Sequence, residues 1–167
     1  TYSDDTSGVD KVRYANDGEA WKLWEAPSGV KLWTLRAVDG TRTVYYQIRD
    51  KAGLISATYS DTILLDTTAP ETTIHHTQGT AWISITSLDS GTGVAAIYYR
   101  IDGGSWIAYS GPFTVPGTGG TRRIDAYSID FAGNKEVPSQ TLKVHYLTVS
   151  ASRADLWTPS GSGWYTE

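Results

Sequence analysis

The sequence predicts an all-β protein built from consecutive sandwich modules, and three observations carry this prediction. Apolar and polar residues alternate at the spacing of strands, and no helical periodicity is convincing. Turn residues separate the alternating runs at short intervals. The chain also aligns with itself over most of its length. With 167 residues, it has room for two modules of the size at which a small domain folds.

The strands are indicated by runs in which every second residue is apolar. In the run 44–49, for example, Val44, Tyr46 and Ile48 share one face, while Tyr45, Gln47 and Arg49 share the other. Similar runs occupy residues 82–87, 97–101 and 141–146. Asp17-Gly18 and Asp102-Gly103 supply the positive φ angles that tight hairpins need.

The internal repeat is the strongest signal in the chain. Tyr99 and Trp106 each follow their counterparts, Tyr14 and Trp21, by 85 positions. After a gap of five residues the offset becomes 80, which pairs Asp50 with Asp130. An alignment of this kind is typical of arrays of stacked modules.

The two ends of the sequence also fit the repeat. The last residues, W-Y-T-E, joined to the first, T-Y-S-D-D-T-S-G-V, align without a gap with residues 82–94. We therefore predict a module at 1–68 that lacks its first strands and a complete module at 69–147. Residues 148–167 would then be the first strands of a following module, or a donor segment that completes the first module of a neighbour.

Composition excludes several classes of function. The net charge is −4 with both signs scattered, so no basic surface for a nucleic acid is expected. No apolar run is long enough for a membrane span, so we expect no membrane insertion. Cysteine is absent, so no disulfide stabilises these modules.

The segment Y-Y-R-I-D-G-G-S-W-I-A-Y-S-G-P-F-T-V, followed by I-D-A-Y-S-I-D-F-A-G-N, resembles immunoglobulin-like, fibronectin-III-like repeats of bacterial and archaeal cell-surface proteins and of secreted glycosidases. The linker 65–70 is similar to the junctions between such modules. The resemblance implies tandem immunoglobulin-like β-sandwich modules at an extracellular cell surface.

We therefore expect a non-enzymatic structural repeat module of a fibre, sheath, surface layer or adhesin shaft that assembles head to tail with copies of itself. The alternative is a carbohydrate-binding accessory module of a secreted hydrolase, with surface polysaccharide as its partner. Asp89-Ser90-Gly91 has the form of an aspartic protease motif, but no second copy exists, and a turn explains it better.

Candidate interface and ligand residues follow from these two hypotheses. The head-to-tail interface is predicted at Trp157, Trp164, Tyr165, Thr1 and Tyr2. Trp24, Trp33 and Trp157 have no clear counterparts in the middle repeat, so they are candidates for a sugar-binding or module-packing face, with ordinary core packing as the alternative. Trp21 and Trp106 are interpreted as core residues.

No cofactor is required by this interpretation, and calcium is the one metal that the sequence allows. Asp50 and Asp130 end matching strands, and Asp66 lies in the linker. Carboxylates at module ends are ligands that calcium prefers, although the closely spaced acidic residues of a dedicated calcium loop are missing. Turn capping is therefore the favoured function of these carboxylates, and calcium binding is the alternative.

Overall fold

The structure, a computed structural model, describes residues 3–117, 119–147 and 163–166. The chain divides into two compact units, Thr1–Asp66 and Thr67–Glu167. All regular elements in the described residues are β-strands, which confirms the all-β fold class. The described residues contain no helix that is long and apolar enough to cross a membrane.

The first unit has one antiparallel sheet in the order β1-β2-β3. Its strands are β1 (Val9–Asn16), β2 (Gly40–Asp50) and β3 (Tyr59–Leu65). Residues 17–39 connect β1 to β2, and Glu25 in this connection forms a bridge with Val12. The glycine of the predicted Asp17-Gly18 turn has a φ of 70°, as a tight hairpin requires.

The second unit is a sandwich of two antiparallel sheets, with the orders β4-β5-β8 and β11-β10-β9-β6-β7. Its strands are β4 (Glu71–His76), β5 (Trp82–Leu88), β6 (Val94–Ile101), β7 (Ile107–Ala108), β8 (Phe113–Thr114), β9 (Gly120–Asp130), β10 (Gln140–Leu147) and β11 (Gly163–Thr166). The first seven of these strands follow the two-sheet arrangement of an immunoglobulin-like sandwich.

The core of the second unit lies between its two sheets. Ile83 and Ile85 of β5 pack with Ile124 of β9 and Val144 of β10, and these four side chains are at most 4% exposed. Each contributes its apolar surface because strand alternation directs it toward the opposite sheet. The core therefore depends on β4 and β5 covering the inner face of the larger sheet.

Polar contacts join the two sheets at one end of this core. The hydroxyl oxygens of Thr72 and Ser128 lie 2.6 Å apart and share a hydrogen bond. The carboxylate of Glu136 accepts hydrogen bonds from the backbone N–H groups of Thr72 and Ser128, at 3.2 and 3.3 Å. All three residues are buried, so each satisfied polar group avoids a desolvation cost.

A second buried carboxylate, Asp125, lies on the outer face of β9 and joins three strands. It accepts hydrogen bonds from Arg100 of β6 at 2.9 Å, Arg123 at 2.7 Å and Thr141 of β10 at 2.8 Å. Burial raises the pKa of Asp125, but the hydrogen bonds from Thr141, Arg100 and Arg123 outweigh it and hold the pKa below its ordinary value of 3.8. The ionised form therefore stabilises the fold.

We predict that Ile124→Ala lowers the free energy of unfolding by about 2–5 kcal/mol, because it leaves a cavity in a fully buried site. The matched control is Ile63→Ala, which removes the same atoms from a side chain that is 55% exposed. Urea unfolding of both variants measures the difference. Equal losses would contradict the assignment of Ile124 to the core.

We predict that Asp125→Asn lowers stability at neutral pH by about 1–3 kcal/mol, because it weakens hydrogen bonds to a charged group. A lowered carboxylate pKa gives stability that is present above pH 3.8 and is lost as the pH falls through the lower, folded-state pKa. The variant should therefore lose less stability on acidification than the parent. Unfolding curves between pH 7 and about pH 2 test this, with the exposed Glu71→Gln as the control.

Candidate functional site

The inner face of the first unit is the candidate site, and we call it the open face. It is formed by the side chains that point to one side of β1, β2 and β3, as the strand pairing places them: Val12, Tyr14, Asn16, Val44, Tyr46, Ile48, Tyr59, Asp61, Ile63 and Leu65. Most of these residues are apolar or aromatic. In the second unit, the corresponding face is the one that packs against β4 and β5.

The two units differ in how far the β2 and β3 part of this face is buried, whereas Val12 and Asn16 of β1 are buried in the first unit. Ile63 of β3 corresponds to Val144 of β10, yet Ile63 is 55% exposed and Val144 is 0% exposed. Val44 is half-buried, whereas its counterpart Ile124 is fully buried. In the described residues of the first unit, no second sheet lies over the open face.

The 17–39 connection covers one corner of the open face. Trp33 lies against Tyr14, with 5.5 Å between the ring centroids. Its indole Nε1 donates a hydrogen bond of 2.6 Å to Asn16 Oδ1. In the second unit, Phe113 of β8 stacks on Tyr99, the counterpart of Tyr14, at 4.0 Å. Trp33 thus takes the place of one aromatic contact that β8 makes in the second unit, while Ile63 of β3 remains 55% exposed.

Two connected depressions remain around this corner. A groove of 540 Å³ runs over the open face, and its lining includes Val44, Tyr46, Ile63 and Lys31. A pocket of 700 Å³ adjoins it and includes Trp24, Glu19 and Lys22 in its lining. Tyr14, Lys31 and Trp33 line both. In the sequence, these depressions are indicated by the segment 24–39, which is longer than the corresponding segment of the second repeat.

The predicted sugar-binding residues are engaged in contacts within the first unit. The guanidinium carbons of Arg13 and Arg49 lie 4.5 and 5.2 Å from the Trp24 ring centroid. Arg13 also lies 4.8 Å from the Trp21 ring centroid. Such cation–π contacts occupy ring surface that a sugar would need. Trp33 is held by Tyr14 and Asn16, and Trp157 lies outside the described residues.

The interpretation of Trp21 and Trp106 as core residues is wrong. Trp106 is half-buried, and it packs on the outer face of the larger sheet. There its ring meets Tyr127 edge-on at 4.6 Å, and the guanidinium carbon of Arg100 lies 4.5 Å from its centroid. Trp21 makes the corresponding contact with Arg13 in the first unit. Alternation predicts which residues share a face, but it does not show which face the core covers.

The carboxylates named as calcium candidates lie in different surroundings. Asp50 accepts hydrogen bonds from the Leu54 N–H at 2.7 Å and the Ser7 hydroxyl at 2.8 Å. Asp130 makes the corresponding turn bond to the Asn134 N–H at 2.8 Å. Asp66 is a buried residue that ends the first unit. The Asp50 and Asp130 contacts agree with turn capping.

Within the second unit, Asp130 lies beside Asp89, with carboxylate oxygens within 4.8 Å of each other. Asp89 Oδ2 accepts hydrogen bonds from the Gly91 and Gly93 N–H groups, which makes the Asp89-Ser90-Gly91 motif a turn. Asp89 Oδ1 is buried and has no hydrogen-bond partner in the described part of the chain. Calcium takes about six to eight oxygen ligands, more than these two carboxylates supply, and calcium binding stays the alternative to turn capping.

The first unit repeats this turn with Asp4. Asp4 Oδ2 accepts hydrogen bonds from the Ser7 and Gly8 N–H groups, at 2.8 and 2.6 Å. The Gly8 hydrogen bond, followed by that of the Ser7 hydroxyl, holds the pKa of Asp4 below its usual value. The alignment of Asp4 with Asp89 in the sequence therefore corresponds to the same local structure.

Two of the five predicted interface residues lie in a described strand. Trp164 and Tyr165 belong to β11, which pairs antiparallel with the edge of β10 through four residue pairs. Trp157, Thr1 and Tyr2 lie outside the described residues. The head-to-tail interface stays a prediction.

Comparisons with known proteins do not assign the chain to a family. No family model matches the chain, and no curated protein sequence matches it. Among solved structures, it is similar to the fibronectin(III)-like modules of CbhA from Clostridium thermocellum, with 14% identity, a TM-score of 0.43, and coverage of 85% of this chain and 80% of that chain. The fold assignment rests on the strand order described above.

We predict that Trp106→Ala lowers the free energy of unfolding by about 1–2 kcal/mol, because the variant loses a half-exposed aromatic and cation–π contact without opening the core. This loss should be smaller than that of Ile124→Ala in the same urea titration. A loss as large as that of Ile124→Ala would support the interpretation of Trp106 as a core residue.

Proposed function

We propose that this protein is a non-catalytic structural module of an extracellular fibre, sheath or surface layer, whose copies join head to tail through the open face. The observation that carries the proposal is the exposure of Ile63 beside the full burial of Val144, its counterpart. A face that is covered in one unit is available for assembly in the other.

The physical argument is the cost of leaving such a face in water. Burial of apolar surface stabilises by about 25 cal/mol per Å², so a sheet face of this size gains from any complementary cover. β3 is also an edge strand in the described residues, with unpaired backbone groups on its outer side. Apolar surface and a free edge together favour a partner that supplies strands.

The array and the extracellular location are part of the proposal. In support of an array, the turn after Asp50 and the turn after Asp130 have matching backbone bonds, Asp50 N–H to Leu54 O at 3.0 Å and Asp130 N–H to Asn134 O at 3.2 Å. The location is supported by the resemblance to cell-surface repeats. A shaft of stacked modules keeps the structures at its two ends a fixed distance apart, and this function requires no catalytic activity.

A second candidate function is carbohydrate binding in the 700 Å³ pocket, because two of the predicted tryptophans, Trp24 and Trp33, line it together. Aromatic rings beside charged groups such as Glu19 and Lys22 suit a sugar. The contacts of Trp24 with Arg13 and Arg49 favour a structural role instead.

We predict that Ile63→Lys abolishes self-association, because it puts a charge on the open face. The matched control is Leu64→Lys, which puts the same charge on the opposite face of the same strand at a similar exposure, 50% against 55%. Analytical ultracentrifugation and electron microscopy should show oligomers for the parent and the control, and monomers for Ile63→Lys.

Monomers for the parent at all concentrations, or equal assembly of both variants, would contradict the structural proposal. Affinity electrophoresis in polysaccharide gels tests the second candidate. Retardation of the parent that is lost in Trp24→Ala, with unchanged assembly, would favour carbohydrate binding.

A further inference from the structure

Resting on this proposed function, we propose that the occupant of the open face is residues 148–167 of a second copy of this chain. The segment Trp164–Glu167 would take the position that the start of β5 has in the second unit.

The second unit shows which kind of segment covers such a face. There β4 and β5 form an antiparallel pair, and Ile83 and Ile85 of β5 enter the core beside Ile124 and Val144. The cover is therefore a pair of strands whose second strand has inward residues at every second position. An occupant of the open face needs the same pattern.

Residues 164–167, at the end of this segment, are a second stretch of the chain that aligns with the start of β5. Trp164-Tyr165-Thr166-Glu167 aligns with Trp82-Ile83-Ser84-Ile85, which puts Tyr165 at the position of Ile83. Because Ile63 corresponds to Val144, this register places Tyr165 of one copy beside Ile63 of the other. An aromatic residue at this position suits a groove lined by Tyr14 and Tyr46.

One position departs from the pattern of the second unit. Glu167 aligns with Ile85, which is 4% exposed in the core. The groove supplies a cation, Lys31, whose Nζ lies 2.8 Å from Glu25 at an exposed site. A carboxylate from a second copy can share this ammonium group, so the charge is compatible with the groove.

The backbone pairing of the tail allows such an exchange. In the structure, β11 pairs with the free edge of β10 through four residue pairs, from Val144–Thr166 to Leu147–Gly163. A four-residue edge strand is a short pairing, and it is lost when the tail takes the position of β5, because β5 lies in the opposite sheet and pairs with β4 and β8. The burial of apolar surface on the open face offsets this loss.

The experiment uses site-specific cross-linking, since the chain has no cysteine of its own. Two full-length variants, Ile63→Cys and Tyr165→Cys, are mixed and oxidised, with one of them carrying a mass tag. The control mixture pairs Leu64→Cys with Tyr165→Cys, because Leu64 lies on the opposite face of β3. We expect several-fold more mixed dimer from positions 63 and 165 than from positions 64 and 165.

Equal yields from the two mixtures, or no mixed dimer, would overturn the proposal. A chain carrying both Ile63→Cys and Tyr165→Cys should form cross-linked chains of increasing length. A cross-linked monomer as its main product would mean that the tail covers its own first unit, and this too would overturn the proposal. If cross-linking fails while Ile63→Lys still blocks assembly, the open face has another occupant and the proposed function stands.

Discussion

The rest of the structure depends on one constraint, which is that the apolar inner face of an antiparallel sheet must be covered. In the second unit, β4, β5 and β8 supply the cover, and the buried Thr72, Ser128 and Glu136 bind the two sheets at one end. In the first unit, the 17–39 connection brings Trp33 over Tyr14 and covers only a corner. In the described residues, the exposure of Ile63 goes with two differences between the sheets, the lack of a second sheet over the open face and the edge position of β3.

The outer face of the larger sheet is also covered, but by aromatic and charged side chains instead of a second sheet. β9 is the central strand of its sheet, and both Asp125 and Tyr127 on its outer face are buried. Trp106, Arg100 and Lys135 provide that burial through ring and cation–π contacts. The charged groups themselves cover the rings, because the Lys135 ammonium lies 3.9 Å from the Tyr127 centroid and the Arg100 guanidinium lies over Trp106. Tryptophan is thus used here outside the core, where its polar edge and large face are both useful.

Sequence patterns predicted the strands well because period-two alternation is a local property. The run 44–49 lies within β2, and the run 141–146 lies within β10. The patterns did not predict the outer position of Trp106 or the contact of Trp33 with Asn16. Both depend on which face a distant segment covers, and that information is not local. Asp89 and Asp130 come together because β5 and β9 end at the same edge of the second unit.

The open face belongs to the first unit and the tail to the second, so a contact between them joins two different surfaces and is heterologous. A reciprocal exchange between two copies would close a dimer, whereas in the proposed assembly each copy uses its face for one neighbour and its tail for another, which gives the contact a direction. Such a contact adds copies without closing, unless the rotation between them forms a ring. In every copy, β4, β5 and β8 cover the inner face of the second unit. In the proposed assembly, therefore, only the first unit needs a partner to cover its inner face. An assembly of this kind would gain length while adding one covered face per copy.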